Sequence, residues 1–402
     1  MVNFALTLLI AVLPLAVAGQ NIAILLSGML LLESARRKQR LTDVLRNESN
    51  RTHLALFALY GFSCLFSTWL NSNNPENPFV ACGGFLGIWL LPALINTGVE
   101  GNSAKLRVFI SWAMKWVPYF FLLWGFIALS QMLFEWKLAG SSFVSTLPRA
   151  QGFYSHPLTL AYVGLVLFPF VTVMFLRQPK NIHSIALFIG VLLLLIASKS
   201  RAAQAIGFLI LLWNVWLLLK GKTRLIAIGL LFLSVTGTLI TDNPVSSRFH
   251  QMVKNPDAAG GLVDDRVVFW EVHWQMFKER PLLGHGENLG TAYRTNYYNA
   301  LGYQDFQRKY EAHNLLLQIL VNTGVIGTTF FLVWLSWVFW VLFRSRESEL
   351  GQAPLQSVLA LLAGGMTQNA FQDSEVRYAF ILVVVIAVIF SDQLRQRKTS
   401  VS

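Results

Sequence analysis

Arg308-Lys-Tyr-Glu-Ala-His313-Asn-Leu-Leu-Leu-Gln-Ile-Leu-Val-Asn-Thr-Gly324-Val-Ile-Gly327 joins a polar segment to a strongly apolar one, with His313 and Asn314 at the border. Beyond the border the apolar run continues to about residue 343. A bilayer-crossing helix needs about 20 apolar residues. The rest of the chain repeats that pattern. Of its 402 residues, 54% are hydrophobic and 13% charged, against about 25% charged in a soluble domain. The runs are long and show no period-2 alternation, so helices are the expected spanning elements. The fold class is an all-α polytopic membrane protein.

Apolar runs mark about twelve transmembrane helices. They fall near 3–18, 20–34, 52–70, 78–97, 107–134, 156–176, 183–198, 202–219, 225–241, 313–343, 354–371 and 378–393. The first resembles a signal peptide in its Ala16-Val-Ala18 ending but lacks a positive n-region, so it reads as a retained span. With the N-terminus inside, eighteen of the 32 Lys and Arg residues lie in inside loops or the tail, as the positive-inside rule requires. Both termini are expected in the cytoplasm. The chain divides into spans over 1–241, a large outer loop over 242–312, and spans plus tail over 313–402. The net charge is +12. The basic residues punctuate the ends of apolar runs, which points away from nucleic acid. Cys64 and Cys82 fall inside apolar runs and read as core thiols.

The loop contains a flexible break, Asn255-Pro-Asp-Ala-Ala-Gly-Gly261. A helix is expected from Asp264-Asp265, whose charges suit its positive end, to about Arg280, where Pro281 stops it. Val267, Trp270, Trp274 and Phe277 form one apolar face, suited to the membrane interface or to packing on the spans. Tyr293, Tyr297, Tyr298 and Tyr303 follow; they suit either a sugar groove or headgroup anchoring.

Arg149, Arg201 and Arg377 stand in short outer loops, against the orientation signal. Arg149 precedes a turn at Gly152, and Arg201 closes the short hairpin Ser198-Lys199-Ser200-Arg201. Arg266 lies near the start of the loop helix. Each guanidinium presents a planar fork of donors that matches a phosphate. Three converging at a membrane surface would hold a lipid phosphate or diphosphate. His313 opens a helix, where the dipole disfavours imidazolium. It serves either as a neutral general base or as a structural histidine. His156, beside Arg149, is a second candidate, and His285 sits in a tight Gly284-His285-Gly286 turn. There is no P-loop, no GxGxxG and no HExxH. The outer segments contain no Asp-x-Asp pair to hold a divalent metal on a diphosphate. A departing diphosphate would therefore be neutralised by arginine.

Several stretches together resemble the shared core of bacterial O-antigen ligases and O-antigen polymerases. They are Asp265-Arg266-Val-Val-Phe-Trp270, Arg280-Pro281-Leu-Leu-Gly284-His-Gly286, Ala312-His313-Asn314-Leu-Leu-Leu317 and Gly324-Val-Ile-Gly327. The Ser198–Arg201 hairpin and the Arg149-x-x-Gly152-Phe153 turn fit the same pattern. The resemblance implies a GT-C-like glycosyltransferase of the bacterial inner membrane, active at the periplasmic face without metal or nucleotide. The donor would be a glycan on undecaprenyl diphosphate, amid membrane lipids. A ligase transfers it to a sugar hydroxyl of lipid A–core, a polymerase to another lipid-linked repeat. The single late loop and the cytoplasmic tail favour the ligase. By resemblance, His313, Arg266 and Arg201 are the catalytic residues. Arg149, Lys199, Asn314 and Trp270 would bind substrate, with Asn314 orienting His313 or simply starting its helix. No metal or cofactor is expected. A transporter is the alternative of another class. Transporters place ionisable residues or broken helices at mid-membrane in matched halves, whereas here only Lys115 lies clearly inside a span.

Overall fold

The structure is a computed structural model. It describes residues 48–71, 103–136, 149–241, 262–287, 291–306, 310–346, 351–369 and 375–384, with a few single residues besides, the side chains of 103–114, 262–264, 291, 292 and 345 excepted. The expected spans near 3–18, 20–34 and 78–97, the break at 255–261, Cys82 and the tail lie outside the described residues.

The described residues form helices and contain no strand. In chain order these are α1 (Glu48–Leu70), α2 (Ser103–Phe134), α3 (Pro157–Arg177), α4 (Ile182–Ser198), α5 (Arg201–Leu218), α6 (Gly221–Ile240), α7 (Leu262–Glu279), α8 (Thr291–Ala300), α9 (Leu315–Ser345), α10 (Ala353–Gly365) and α11 (375–384). Among the described residues, six helices are long and apolar enough to cross a membrane: α1, the Lys115–Phe134 part of α2, α3, α5, α6 and most of α9. α4 and α10 are shorter apolar helices. Local signals account for their ends. Pro157 begins α3 behind His156, whose side chain accepts from Leu158 N–H. Asn181 caps α4 by accepting from His183 N–H at 3.0 Å, and Lys199, in the left-handed region, ends it.

α3 occupies the middle of the bundle, against α4, α5 and α10. α2 packs on α4, α1 on α9, and α7 on α9. Their shared core includes Trp124, Tyr162, Phe168, Phe331 and Trp334, all almost wholly buried. α6 differs, since among the described residues it packs chiefly on α5 and buries none of its residues. In a helix this apolar, that exposure marks a lipid-facing surface.

The largest departure from a plain helical hairpin lies in α9. Gly324 has φ 64° and ψ −169°, which breaks the helix inside the apolar run. A break leaves backbone groups without helical partners, and apolar surroundings tolerate that only if other groups supply them. The turn after α7 does so. His285 N–H donates to Val321 O and Gly286 N–H to Asn322 O, both at 2.8 Å. In return, Val325 N–H donates to Pro281 O at 2.8 Å and Ile326 N–H to Leu282 O at 3.3 Å. The approach is so close that a Cβ on Gly284 would strike Asn322 backbone, and one on Gly324 would strike Leu282 backbone. Both glycines also have positive φ. α1 closes the junction from the other side: Ser67 Oγ donates to Asn322 O at 2.6 Å, and Asn71 Nδ2 donates to His285 O.

α7 turns a different face inward than its apolar stripe predicts. Val267, Trp270 and Trp274 are exposed, as suits an interfacial helix. The protein-facing side is Phe269, Val272, His273 and Met276, which pack with Tyr298, Leu289 and Val321. The helix thus carries two apolar stripes, and the polar histidine concealed the second. The tyrosines join α8 to α7 and to the chain before α9. Tyr303 donates to Glu271 at 2.6 Å, Tyr297 to Glu279 at 2.7 Å, and Tyr298 to Tyr310 O at 3.0 Å.

Candidate active site

Five of the residues singled out above lie within electrostatic reach of one another. The Arg149 turn is bolted to its neighbours. Gln131 of α2 accepts from Gln151 N–H and Gly152 N–H at 3.2 and 2.8 Å, and donates to Gly152 O at 3.0 Å. Ala150 N–H donates to Ala197 O at 3.0 Å, and Arg149 Nε donates to Ser198 O at 3.0 Å. The turn and the 198–201 hairpin are therefore one unit. Arg201 leads α5 from that hairpin. Lys199 is 1% exposed and faces protein rather than solvent.

Arg266, on α7, acts electrostatically on both Arg201 and His313. His156 feels Arg149 first and His313 second. Arg149, His156, His313, Arg266 and Arg201 thus form a continuous basic neighbourhood. Burial chiefly, reinforced by Arg149, lowers His156 to about 4. Burial likewise holds His313 below its ordinary 6.5; Arg266 pushes the same way, opposed by Gln368 and Glu311. The neutral imidazole expected at this position is thus favoured chiefly by desolvation.

His313 has a left-handed backbone, φ 46°. Phe269 lies against its ring with centroids 5.1 Å apart, and Tyr310 meets it edge-on at 5.9 Å. Its Nδ1 lies 2.5 Å from Gln368 Oε1. Asn314 is the N-cap of α9: its side chain accepts from Leu317 N–H at 3.2 Å, which is the helix-starting role. Sequence reasoning missed Gln368, which lies 55 residues beyond His313. It also missed the packing of Phe269 and Tyr310 on the His313 ring, and it gave His273 no recognisable partner, whereas His273 is wholly buried with Nδ1 donating to Phe269 O at 2.7 Å. His285 belongs to the structural junction, donating through Nε2 to Met276 O and accepting at Nδ1 from Tyr293, both at 2.8 Å. Trp270 is on the exposed side of α7.

Residues 185–332 match the family model described as O-Antigen ligase. Over that stretch the chain is similar to the O-antigen ligase/polymerase superfamily. No curated protein matches it. The superfamily segment takes in the 198–201 hairpin, Arg266, the Gly284–Gly324 junction and His313. Arg149 and Gln368 lie outside it and reach the site through tertiary contacts with that segment.

Proposed function

We propose that the chain is an O-antigen ligase, a GT-C-like glycosyltransferase with about twelve spans and both termini in the cytoplasm. It works at the periplasmic face of the bacterial inner membrane. The donor is a glycan on undecaprenyl diphosphate and the acceptor a sugar hydroxyl of lipid A–core. The observation that carries this reading is that Arg201, Arg266 and the half-buried His313 lie within electrostatic reach of one another inside the matched segment, with Arg149 tied to the same hairpin through Ser198 O.

In this mechanism the arginine forks hold the diphosphate and stabilise it as it leaves. His313 takes the proton from the acceptor hydroxyl as that oxygen attacks the anomeric carbon. The bond to the diphosphate breaks with its electron pair, and attack from the opposite side inverts the centre. Lys199 and Asn314 support the site from the hairpin and the helix start, and Trp270 faces the lipid side of the donor. The chemistry needs neither metal nor cofactor, because arginine supplies the charge.

The test uses purified full-length protein with an undecaprenyl-diphosphate-linked glycan, rough lipopolysaccharide and a chelator. Glycan on lipopolysaccharide, lost in Arg266→Ala, supports the ligase. Donor chains that lengthen without transfer to lipopolysaccharide identify a polymerase. Neither product, beside an active control enzyme, returns the transporter.

A further inference from the structure

We propose that Gln368 is a positioning residue for His313, fixing the imidazole as its Nδ1–H tautomer and leaving the Nε2 lone pair for the acceptor hydroxyl. The inference rests on the reading of His313 as the base. Its support is geometric. An amide oxygen only accepts, so the 2.5 Å contact between Gln368 Oε1 and His313 Nδ1 makes Nδ1 the donor. A neutral imidazole with its proton on Nδ1 is basic at Nε2. Phe269 and Tyr310 limit the ring's rotation, and one hydrogen bond then selects its electronic state. His313 also holds a backbone conformation disfavoured for a residue with a Cβ, of the kind that clusters at functional sites.

Gln368 is itself held on both sides. α10 ends at Gly364 and Gly365. A Cβ on Gly364 would collide with the Tyr162 ring of α3, and one on Gly365 would crowd Leu315 at the start of α9. Tyr162 Oη donates to Gly364 O at 3.0 Å, and Thr367 N–H donates to the same oxygen at 3.0 Å. On the far side, Asn369 Nδ2 donates to Glu311 at 3.2 Å. Segments 311–313 and 367–369 are therefore tied twice, by Asn369 to Glu311 and by Gln368 to His313. The amide is uncharged, so it orients the ring without adding an anion beside the arginines. In the transfer step the acceptor O–H breaks and its proton goes to Nε2. The Nδ1 proton stays on the bond to Gln368.

The experiment compares wild type, Gln368→Met, Gln368→Glu and His313→Ala. Nitrogen NMR of selectively labelled histidine, with His313→Ala giving the assignment, reads the tautomer without any turnover. Wild type should show Nδ1 protonated, and Gln368→Met should mix the tautomers and lower kcat about 100-fold, the low end of general acid–base participation, with donor KM unchanged. Gln368→Glu still accepts from Nδ1 but adds charge, so it should keep activity and move the acid limb of kcat to higher pH. A wild-type ring protonated at Nε2, a Gln368→Met ring unchanged, or an unmoved acid limb in Gln368→Glu would overturn the proposal. Activity surviving in His313→Ala would instead remove the base mechanism, leaving the NMR to decide the role of Gln368 alone.

Discussion

His313 has its ring against Phe269 and its Nδ1 on Gln368, in a pocket where burial and Arg266 both oppose a second proton. Its folded pKa lies below the ordinary 6.5, so the neutral form dominates at neutral pH. Under the proposed mechanism the acid limb of kcat falls below pH 6.5, and a limb above that value would show another group to be the base. Replacing His313 by Ala should cost about 100- to 10,000-fold in kcat. Arg266→Ala should raise the barrier by about 3–4 kcal/mol, as loss of an oxyanion donor does. His273 yields a stability prediction. Burial lowers its pKa to about 4, so between there and 6.5 the unfolded chain binds more protons. Stability is complete above pH 6.5 and is lost as pH falls toward about 4. Melting curves across that window should slope less in His273→Phe, and an unchanged slope would clear His273 of the effect.

At the scale of elements, the turn after α7 and the break in α9 are one construction, since each supplies the other's backbone hydrogen bonds. Gly284→Ala and Gly324→Ala should each destabilise the protein by about 1–3 kcal/mol from the positive φ alone, and by more from the backbone clash. Because both disrupt the same junction, the double variant should cost less than the sum. Thermal unfolding in detergent decides it, and full additivity would mean two separate sites. The sequence marks both halves of this junction, as Gly284-His-Gly286 and as Gly324-Val-Ile-Gly327, without showing that they meet. Pairing across 40 residues depends on backbone approach, which carries no local pattern. The helices themselves are legible because apolar runs of spanning length have few other uses. Arg201, Arg266 and His313 stand out as polar residues at apolar borders. Gln368 gives no such signal: an amide after an apolar helix looks like ordinary solvation until the fold sets it against His313. The inward face of α7 was hidden for a related reason, since His273 interrupts the stripe from Phe269 to Met276 that it helps to bury.

For the whole bundle of described residues, α6 marks an outer edge. It is apolar, has no buried residue and, among the described residues, packs chiefly on α5. Leu230, near its middle, is 61% exposed. Leu230→Arg should cost about 3 kcal/mol of membrane insertion, read as loss of protein from the membrane fraction. Normal insertion would mean that α6 faces water or another protein. The break at Gly324 divides α9 unequally. Gln318, Asn322 and Thr323 precede it, and a stretch of about twenty residues follows, about 30 Å of helix, which matches the hydrocarbon thickness. A straight helix of this length would overrun the bilayer or carry those polar groups into it. By stopping at Gly324, the spanning part acts as a ruler, and the tethered stub above it sets the altitude of His313 over the lipid tails.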